Sequence, residues 1–203
     1  MDQWLVYVRG PLFLMTFIFM LLGLARVVAV EMYNAALVKA GAATPEPDAA
    51  PTRSGFIVMS VLWVVCLALL GLTQAGHVLL WQRGLHLPFD MPLLSRYITD
   101  TLVVAAMAIT ILMLFMNAPA PDFAMLLCAL IALASGFVSA HPAMNPLPYN
   151  NTTLMHILAA EAVFVLLPFS LFAESLRRPF VYRAYKFASA SNRSAVSGGE
   201  ARA

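Results

Sequence analysis

Residues 56–82 read FIVMSVLWVVCLALLGLTQAGHVLLWQ, and this stretch decides the class of the protein. A helix needs about 20 mostly apolar residues to cross the hydrocarbon core of a bilayer, so the stretch predicts a membrane-spanning helix. Its only ionisable side chain apart from Cys66 is that of His77. Ionisable side chains inside a membrane are costly and usually have a partner or a function, so His77 is the first candidate functional residue.

Four further apolar stretches complete the predicted fold, an all-α bundle of about five transmembrane helices. The composition agrees, because 62% of the residues are hydrophobic and 11% are charged, whereas about a quarter are charged in soluble proteins. The segment Asn117-Ala-Pro-Ala-Pro-Asp122 predicts a turn between two spans, since proline disfavours helix continuation. The other stretches are 11–32, 98–117, 122–141 and 153–174.

The sequence predicts one transmembrane domain over residues 1–187. Residues 41–54 form a Pro- and Ala-rich linker with little to bury, and residues 188–203 are Ser-, Gly- and Ala-rich and predict a disordered tail. Cys66 and Cys128 lie in apolar stretches without CxxC spacing, so they indicate no disulfide framework, zinc site or c-type haem attachment.

Basic flanking residues predict an outside N-terminus and a cytoplasmic C-terminus. This orientation puts six Lys and Arg residues of the tail, with Lys39 and Arg53, on the inside and leaves Arg9, Arg83 and Arg96 outside. We therefore expect a multi-pass protein of a bacterial-type inner (cytoplasmic) membrane, in contact with lipid. The net charge of +2 is small and dispersed, which argues against nucleic-acid binding.

His77 and His156 are the central functional candidates. His77 lies near the outer end of the second span and His156 near the start of the fifth, so antiparallel helices place both imidazoles at similar depth. Two histidines at matched depth are typical of a bis-histidine haem b site. Small residues share their helix faces and would leave room for a porphyrin, or would simply let helices pack closely. They are Gly71, Thr73 and Gly76 beside His77, and Ala159 and Ala160 beside His156.

Three other residues are candidates for a quinone site or a proton path. His86 and His141 are predicted at the outer water interface, where an imidazole can exchange protons near neutral pH. Glu161 is five residues beyond His156, about 140° around the helix, and so faces away from a haem bound there. A packing role remains open for each. Asp100 and Arg26 lie near span ends and are read as snorkelling side chains.

The sequence resembles the gamma subunit of respiratory nitrate reductases and the related membrane cytochromes b of heterodisulfide-reductase-like complexes. The similarity covers the five-span plan and is most specific in the last quarter of the chain. The segments that carry it are Gly76-His77, Leu154-Met-His156-Ile157, Leu166-Leu-Pro168-Phe-Ser170, Pro179-Phe-Val-Tyr182 and Lys186.

The resemblance implies haem b between the second and fifth helices. Members of the family hold two haems, and the ligands of the outer one correspond to His77 and His156. The positions of the inner ligands hold Leu67 and Glu174 here, so the resemblance implies one haem where the family has two. The family's quinol site lies beside its outer haem.

We therefore expect a haem b electron-transfer and membrane-anchor subunit of a quinone-linked oxidoreductase complex. It would pass electrons between the quinone pool and a redox partner subunit with iron–sulfur clusters, and it carries no motif of an enzyme acting alone. The basic and aromatic segment 177–186 is the predicted docking site for that partner. The alternative is a haem-free membrane anchor or small transporter component, in which His77 and His156 serve packing or proton movement.

Overall fold

The computed structural model describes residues 8–40, 54–84, 93–116, 120–170 and 173, and every regular element in these ranges is helical. A π-helical turn, Val8–Leu12, leads into the first α-helix. Short 3₁₀ turns follow the fifth and sixth helices at Pro142–Met144 and Leu167–Phe169. The α-helices are α1 (Phe13–Lys39), α2 (Ser54–Thr73), α3 (Ala75–Gly84), α4 (Arg96–Phe115), α5 (Ala120–Ala140) and α6 (Tyr149–Leu166).

Four of the described helical stretches are long and apolar enough to cross a membrane singly, and α2 with α3 makes a fifth if the pair is one span. The chain is therefore a helical, multi-pass membrane protein, as the composition predicts. The four stretches are Gly10–Val38, Arg96–Phe115, Asp122–Ala140 and Tyr149–Phe169.

The second span differs from the prediction of one helix over 56–82. It consists of α2 and α3, which meet at Gln74 at an angle of 64°. Two local features explain the break. Gly71 and Gly76 flank it and have low helix propensity, and the Thr73 hydroxyl donates to the Leu69 carbonyl oxygen at 2.5 Å, a bond that often bends helices.

Hydrogen bonds between helices show their directions. Trp63 of α2 donates to Thr110 of α4 at 2.7 Å, whereas the Leu94 amide, just before α4, reaches the last residue of α2, so the two helices are antiparallel. The pairs α4 with α5 and α5 with α6 are antiparallel as well. Helix α1 packs parallel to α6, with Phe17 against Phe164 and Gly23 against Pro168. These directions are the ones expected when five spans cross the membrane in alternating directions, because the first and fifth spans then run the same way.

Helices α2, α4, α5 and α6 enclose the buried core. One apolar cluster lies in the half of the bundle where α4 ends and α5 begins, and a second continues it toward the opposite end, where α2 ends and α6 begins. We call that opposite end the histidine end. The first cluster contains Trp63, Met113, Met125, Leu126, Ala129 and Val163, and the second contains Leu70, Val103, Ala106 and Leu133.

Several sequence predictions fall outside the described residues. They concern His86, Glu174, the basic segment 177–186 and the tail 188–203.

Candidate functional site

The fold brings His77 of α3 and His156 of α6 together at the histidine end. Their ring centroids are 5.8 Å apart, and the ring planes differ by 19°. This pairing depends on the break after α2, because α3 turns away from the α2 axis before it presents His77. The two imidazoles thus meet although they belong to different spans.

Helix α5 orients His156. The Nδ1–H group of His156 donates to the Ala132 carbonyl oxygen at 2.7 Å. The ring lies directly over Gly136, where a Cβ atom would come within 2.7 Å of Nδ1 and 2.9 Å of Cε1. Real Cβ atoms do not approach so closely, so any side chain at residue 136 would displace the imidazole.

The helix break orients His77. A break inside a membrane leaves carbonyl groups that need new donors. The Leu70 carbonyl oxygen accepts from His77 Nδ1–H at 2.9 Å, and the Gly71 carbonyl oxygen accepts from Trp81 Nε1–H at 2.6 Å. The Thr73 carbonyl oxygen accepts from the Leu94 amide at 3.4 Å. Two side chains of α3 therefore donate hydrogen bonds to carbonyl oxygens at the end of α2, and these bonds fix the positions of the two side chains.

These bonds determine the imidazole tautomers. A carbonyl oxygen only accepts, so Nδ1 carries the hydrogen in both His77 and His156. The Nε2 atom of each neutral ring then has a free lone pair. Metal-binding histidines show the same arrangement, with the second ring nitrogen donating to a carbonyl or carboxylate oxygen that fixes the ring.

The histidine pair offers the two nitrogen donors that a bis-histidine haem requires. Two imidazoles that bind one iron through nitrogens at about 2 Å have ring centres about 6 Å apart, close to the 5.8 Å between these rings. Gly71 and Gly76, beside His77, lie at the partly exposed surface, where an added Cβ atom would meet no heavy atom within 4 Å. The described residues contain no group of three or more His, Cys, Asp or Glu side chains able to hold a metal ion. A bis-histidine haem needs two protein ligands, since the porphyrin supplies the others.

His141 is in a different environment. Its Nδ1 atom lies 2.8 Å from the Phe137 carbonyl oxygen, and its Nε2 atom lies 3.2 Å from the Asp100 carboxylate. Arg96 lies 3.9 Å from the same carboxylate and donates to the Ala140 carbonyl oxygen at 2.8 Å. This cluster links the start of α4 to the end of α5. Sequence reasoning missed the pair of Asp100 with His141, because no short-range pattern connects residues on different helices.

Glu161 is a buried residue of α6. The side chain is 4% exposed, and its Oε1 atom has no hydrogen-bond partner. One turn further along α6, the Phe164 ring packs edge-on against Phe13 and Phe17 of α1 at centroid distances of 5.8 and 5.9 Å. Helix α6 thus packs against the start of α1 one turn beyond Glu161, and the orientation of Glu161 away from the histidine pair stays a prediction of helix geometry.

An aromatic cluster joins the two sides of the site. Trp81 of α3 packs edge-on against Phe13 and Phe17 at centroid distances of 6.2 and 5.6 Å, and the same phenylalanines contact Phe164. In the sequence these residues are separate aromatic positions in different apolar stretches, so the cluster could not be predicted from it. It connects α3, α1 and α6 and so supports both histidine-bearing helices.

The position that resembles an inner haem ligand is apolar in the structure. Leu67 of α2 packs against both core clusters. Comparison with known proteins adds no further information on this site, since no family model, curated protein or solved structure matches the chain.

Proposed function

We propose that the chain is a haem b electron-transfer and membrane-anchor subunit of a quinone-linked oxidoreductase complex. The observation that carries the proposal is the histidine pair, with near-parallel rings 5.8 Å apart and both Nδ1–H groups bound to backbone carbonyl oxygens. His77 and His156 would hold the iron, and haem b would supply a one-electron redox centre.

The protein's own contribution is orientation and shielding. The Leu70 and Ala132 carbonyl oxygens hold the two rings with Nε2 free, and Gly136 provides the surface on which the His156 ring lies. Preorganised ligands need no rearrangement when the electron arrives. The aromatic cluster around Trp81 closes one side of the histidine end with apolar rings.

A visible absorption spectrum and a pyridine haemochrome assay of the purified protein test the proposal. We expect the bands of a low-spin haem b and one haem per chain, because Leu67 lies among apolar side chains and Glu174 stands at the other inner position. Two haems per chain would contradict the single-site assignment. A spectrum without haem bands after expression with ample haem would favour the haem-free anchor or transporter component.

We further propose that the quinone reacts at the histidine end. Quinol oxidation releases two protons with its electrons, so the site needs groups that accept protons and a path to water. His141 is 18% exposed and contacts a carboxylate that is 33% exposed, which supplies such a path at this end. His86 is proposed to take part as well. Quinol-driven haem reduction in His86→Ala and His141→Ala variants with full haem content tests both roles, and unchanged rates in both would contradict them.

The proposed orientation places the histidine end outside and the C-terminus in the cytoplasm of a bacterial-type inner membrane. The segment 177–186 would then dock a cytoplasmic subunit with iron–sulfur clusters. A reporter fused after Ala188 should be active only in the cytoplasm, and periplasmic activity would reverse the orientation. Truncation after Glu174 should release the partner and leave the haem spectrum unchanged, whereas a partner that still co-purifies must dock elsewhere.

A further inference from the structure

Glu161 is a buried acid that the histidine site does not use as a ligand. It lies five residues beyond His156 on α6, which corresponds to about 7.5 Å along the helix axis and about 140° around it. Glu161 thus lies about one and a half helical turns from His156, and the two side chains leave α6 in different directions. Glu161 is 4% exposed, and its Oε1 atom has no hydrogen-bond partner. Among the described residues, no salt bridge of Glu161 is present.

The helix faces that join α1 and α6 are mostly apolar. The α1 face that packs against α6 presents Phe13, Phe17 and Gly23, and the Thr16 hydroxyl donates to carbonyl oxygens of its own helical turn. The π-helical turn that precedes α1 has one charged residue in its sequence, Arg9. The ionisable side chains described nearest to Glu161 along α6 and α3 are His156 and His77.

Asp122 is the acidic residue of α5. It lies in the first turn of that helix, toward the end of the bundle opposite to the histidines, three residues before Met125 of the core cluster that also contains Val163. It acts on Glu161 in the oxidised and the reduced protein alike, so it does not produce a redox-dependent change there.

A carboxyl group in such surroundings responds to the charge at the histidine pair. Burial of Oε1 without a hydrogen-bond partner makes a charge on this carboxyl group costly. A haem iron held by His77 and His156 would supply a centre whose charge changes by one when it takes up an electron. A buried carboxyl group on the same helix would respond to that change through space, so its proton uptake would be coupled to the electron.

We propose that Glu161 is a proton-uptake site coupled to the electron that arrives between His77 and His156. This inference rests on the proposed function. The balance is one electron to the iron and one proton from water to the Glu161 carboxylate, which becomes the carboxylic acid; reoxidation releases both. The coupling keeps the net charge of the membrane interior constant during electron transfer.

Redox titration of the haem-loaded protein at a series of pH values tests the coupling. In a range of pH, the midpoint potential of the unaltered protein should fall by up to about 59 mV for each tenfold decrease in proton activity, the value for one proton and one electron. Glu161→Gln keeps the size of the side chain and removes the titrating group, so its potential should lose this slope. Glu161→Asp keeps a carboxyl group and should retain a slope, displaced along the pH axis.

Glu31→Gln is the matched control. Glu31 is also buried, with 7% of the residue exposed, but it lies eight residues beyond Gly23 on α1 and so farther from the histidine end. Its replacement should leave the slope unchanged. A second readout is independent of the potential: the reduced-minus-oxidised infrared difference spectrum should contain a protonated carboxyl band that Glu161→Gln removes and Glu31→Gln retains.

The outcomes separate the two proposals. A chain that binds haem but has the same slope and the same carboxyl band in Glu161→Gln overturns the role of Glu161 and leaves the haem assignment intact. If the midpoint potential of Glu31→Gln also lost its dependence on pH, the role of Glu161 would be overturned, since the effect would not be specific to that residue. A chain that binds no haem overturns the proposed function, and the coupled uptake fails with it.

Discussion

The two histidine environments at the same end of the bundle differ in what their ring nitrogens contact. His77 and His156 each direct Nδ1 to a backbone carbonyl oxygen and face each other at 5.8 Å. His141 contacts acceptors with both nitrogens, the Phe137 carbonyl oxygen and the Asp100 carboxylate, and its ring stacks on Phe137 at 4.2 Å. An imidazole needs a free nitrogen lone pair to bind a metal, so the first pair suits a ligand role, whereas His141 suits a contact with the Asp100 carboxylate.

Exposure to water separates these roles as well. The His141 side chain is 18% exposed, and its partner Asp100 is 33% exposed, so both reach water. Glu161 on α6 is 4% exposed and has an unpartnered oxygen. The ionisable groups of this part of the bundle therefore include a backbone-held histidine pair, a partly exposed contact between His141 and Asp100, and a buried acid.

The largest expected effect comes from removing one member of the histidine pair. His77→Ala and His156→Ala should each abolish haem binding, because one protein ligand is lost entirely. His141→Ala is the matched control and should retain full haem content. Pyridine haemochrome assays on purified variants provide the measurement. Haem retained in His77→Ala together with haem lost in His141→Ala would reverse the assignment of the two environments.

A smaller effect is expected from the surface beneath His156. Gly136→Ala places a Cβ atom within 2.7 Å of the imidazole, so the ring must move and lose its bond to Ala132. Loss of such supporting contacts typically weakens metal binding by about 10- to 100-fold. Haem titration of the apoprotein measures the affinity.

Gly10→Ala is the control for this substitution, because a Cβ atom there would meet no heavy atom within 4 Å. Its haem affinity should equal that of the unaltered protein. An unchanged affinity in Gly136→Ala would show that the contact with α5 does not position the ligand.

A substitution in the packed core away from the histidines should lower the stability of the protein and leave haem binding unchanged. Thr110→Val removes the acceptor of the buried Trp63 indole, a bond of 2.7 Å. Hydrogen bonds between membrane helices contribute about 0.6 kcal/mol on average, with a maximum near 1.7 kcal/mol. Unfolding in a denaturing detergent should show a loss of this size.

Thr101→Val is the control for the core substitution. The Thr101 hydroxyl is exposed and donates to the Tyr97 carbonyl oxygen of its own helix, so its loss should be nearly neutral. Equal destabilisation by both variants would mean that the bond between α2 and α4 contributes nothing specific.

The smallest effect is expected at the partly exposed contact between Asp100 and His141. Asp100→Asn removes the carboxylate that faces His141, and exposed pairs contribute about 0.2–1 kcal/mol at most. The haem spectrum should not change. A double-mutant cycle with His141→Ala measures the pair itself, and a coupling free energy well above this range would show that the cluster behaves as a buried one.

The positions of the helices were largely predictable from sequence. The stretches 98–117 and 122–141 correspond to Arg96–Phe115 and Ala120–Ala140, with Pro121 and Asp122 in the first turn of the latter. Apolar length and turn residues act locally, so one sequence reveals them. Within the predicted last span, 153–174, α6 gives way to a 3₁₀ turn at Leu167, because Pro168 cannot continue the helical hydrogen bonding. Glu174, the predicted end of this span, lies outside the described residues.

One sequence was enough to predict the membrane class, the approximate lengths of the spans and the two histidines near the ends of apolar stretches. The bend at Gln74, the contact of His156 with Gly136 and the pairing of His141 with Asp100 arise only in the folded bundle. The physical reason lies in the surfaces of these helices. Apolar residues surround α2 and α5 on all sides, since lipid and protein interior favour the same side chains. The pattern within one helix therefore does not reveal which face meets a neighbour, and contacts between helices arise only when the whole bundle packs.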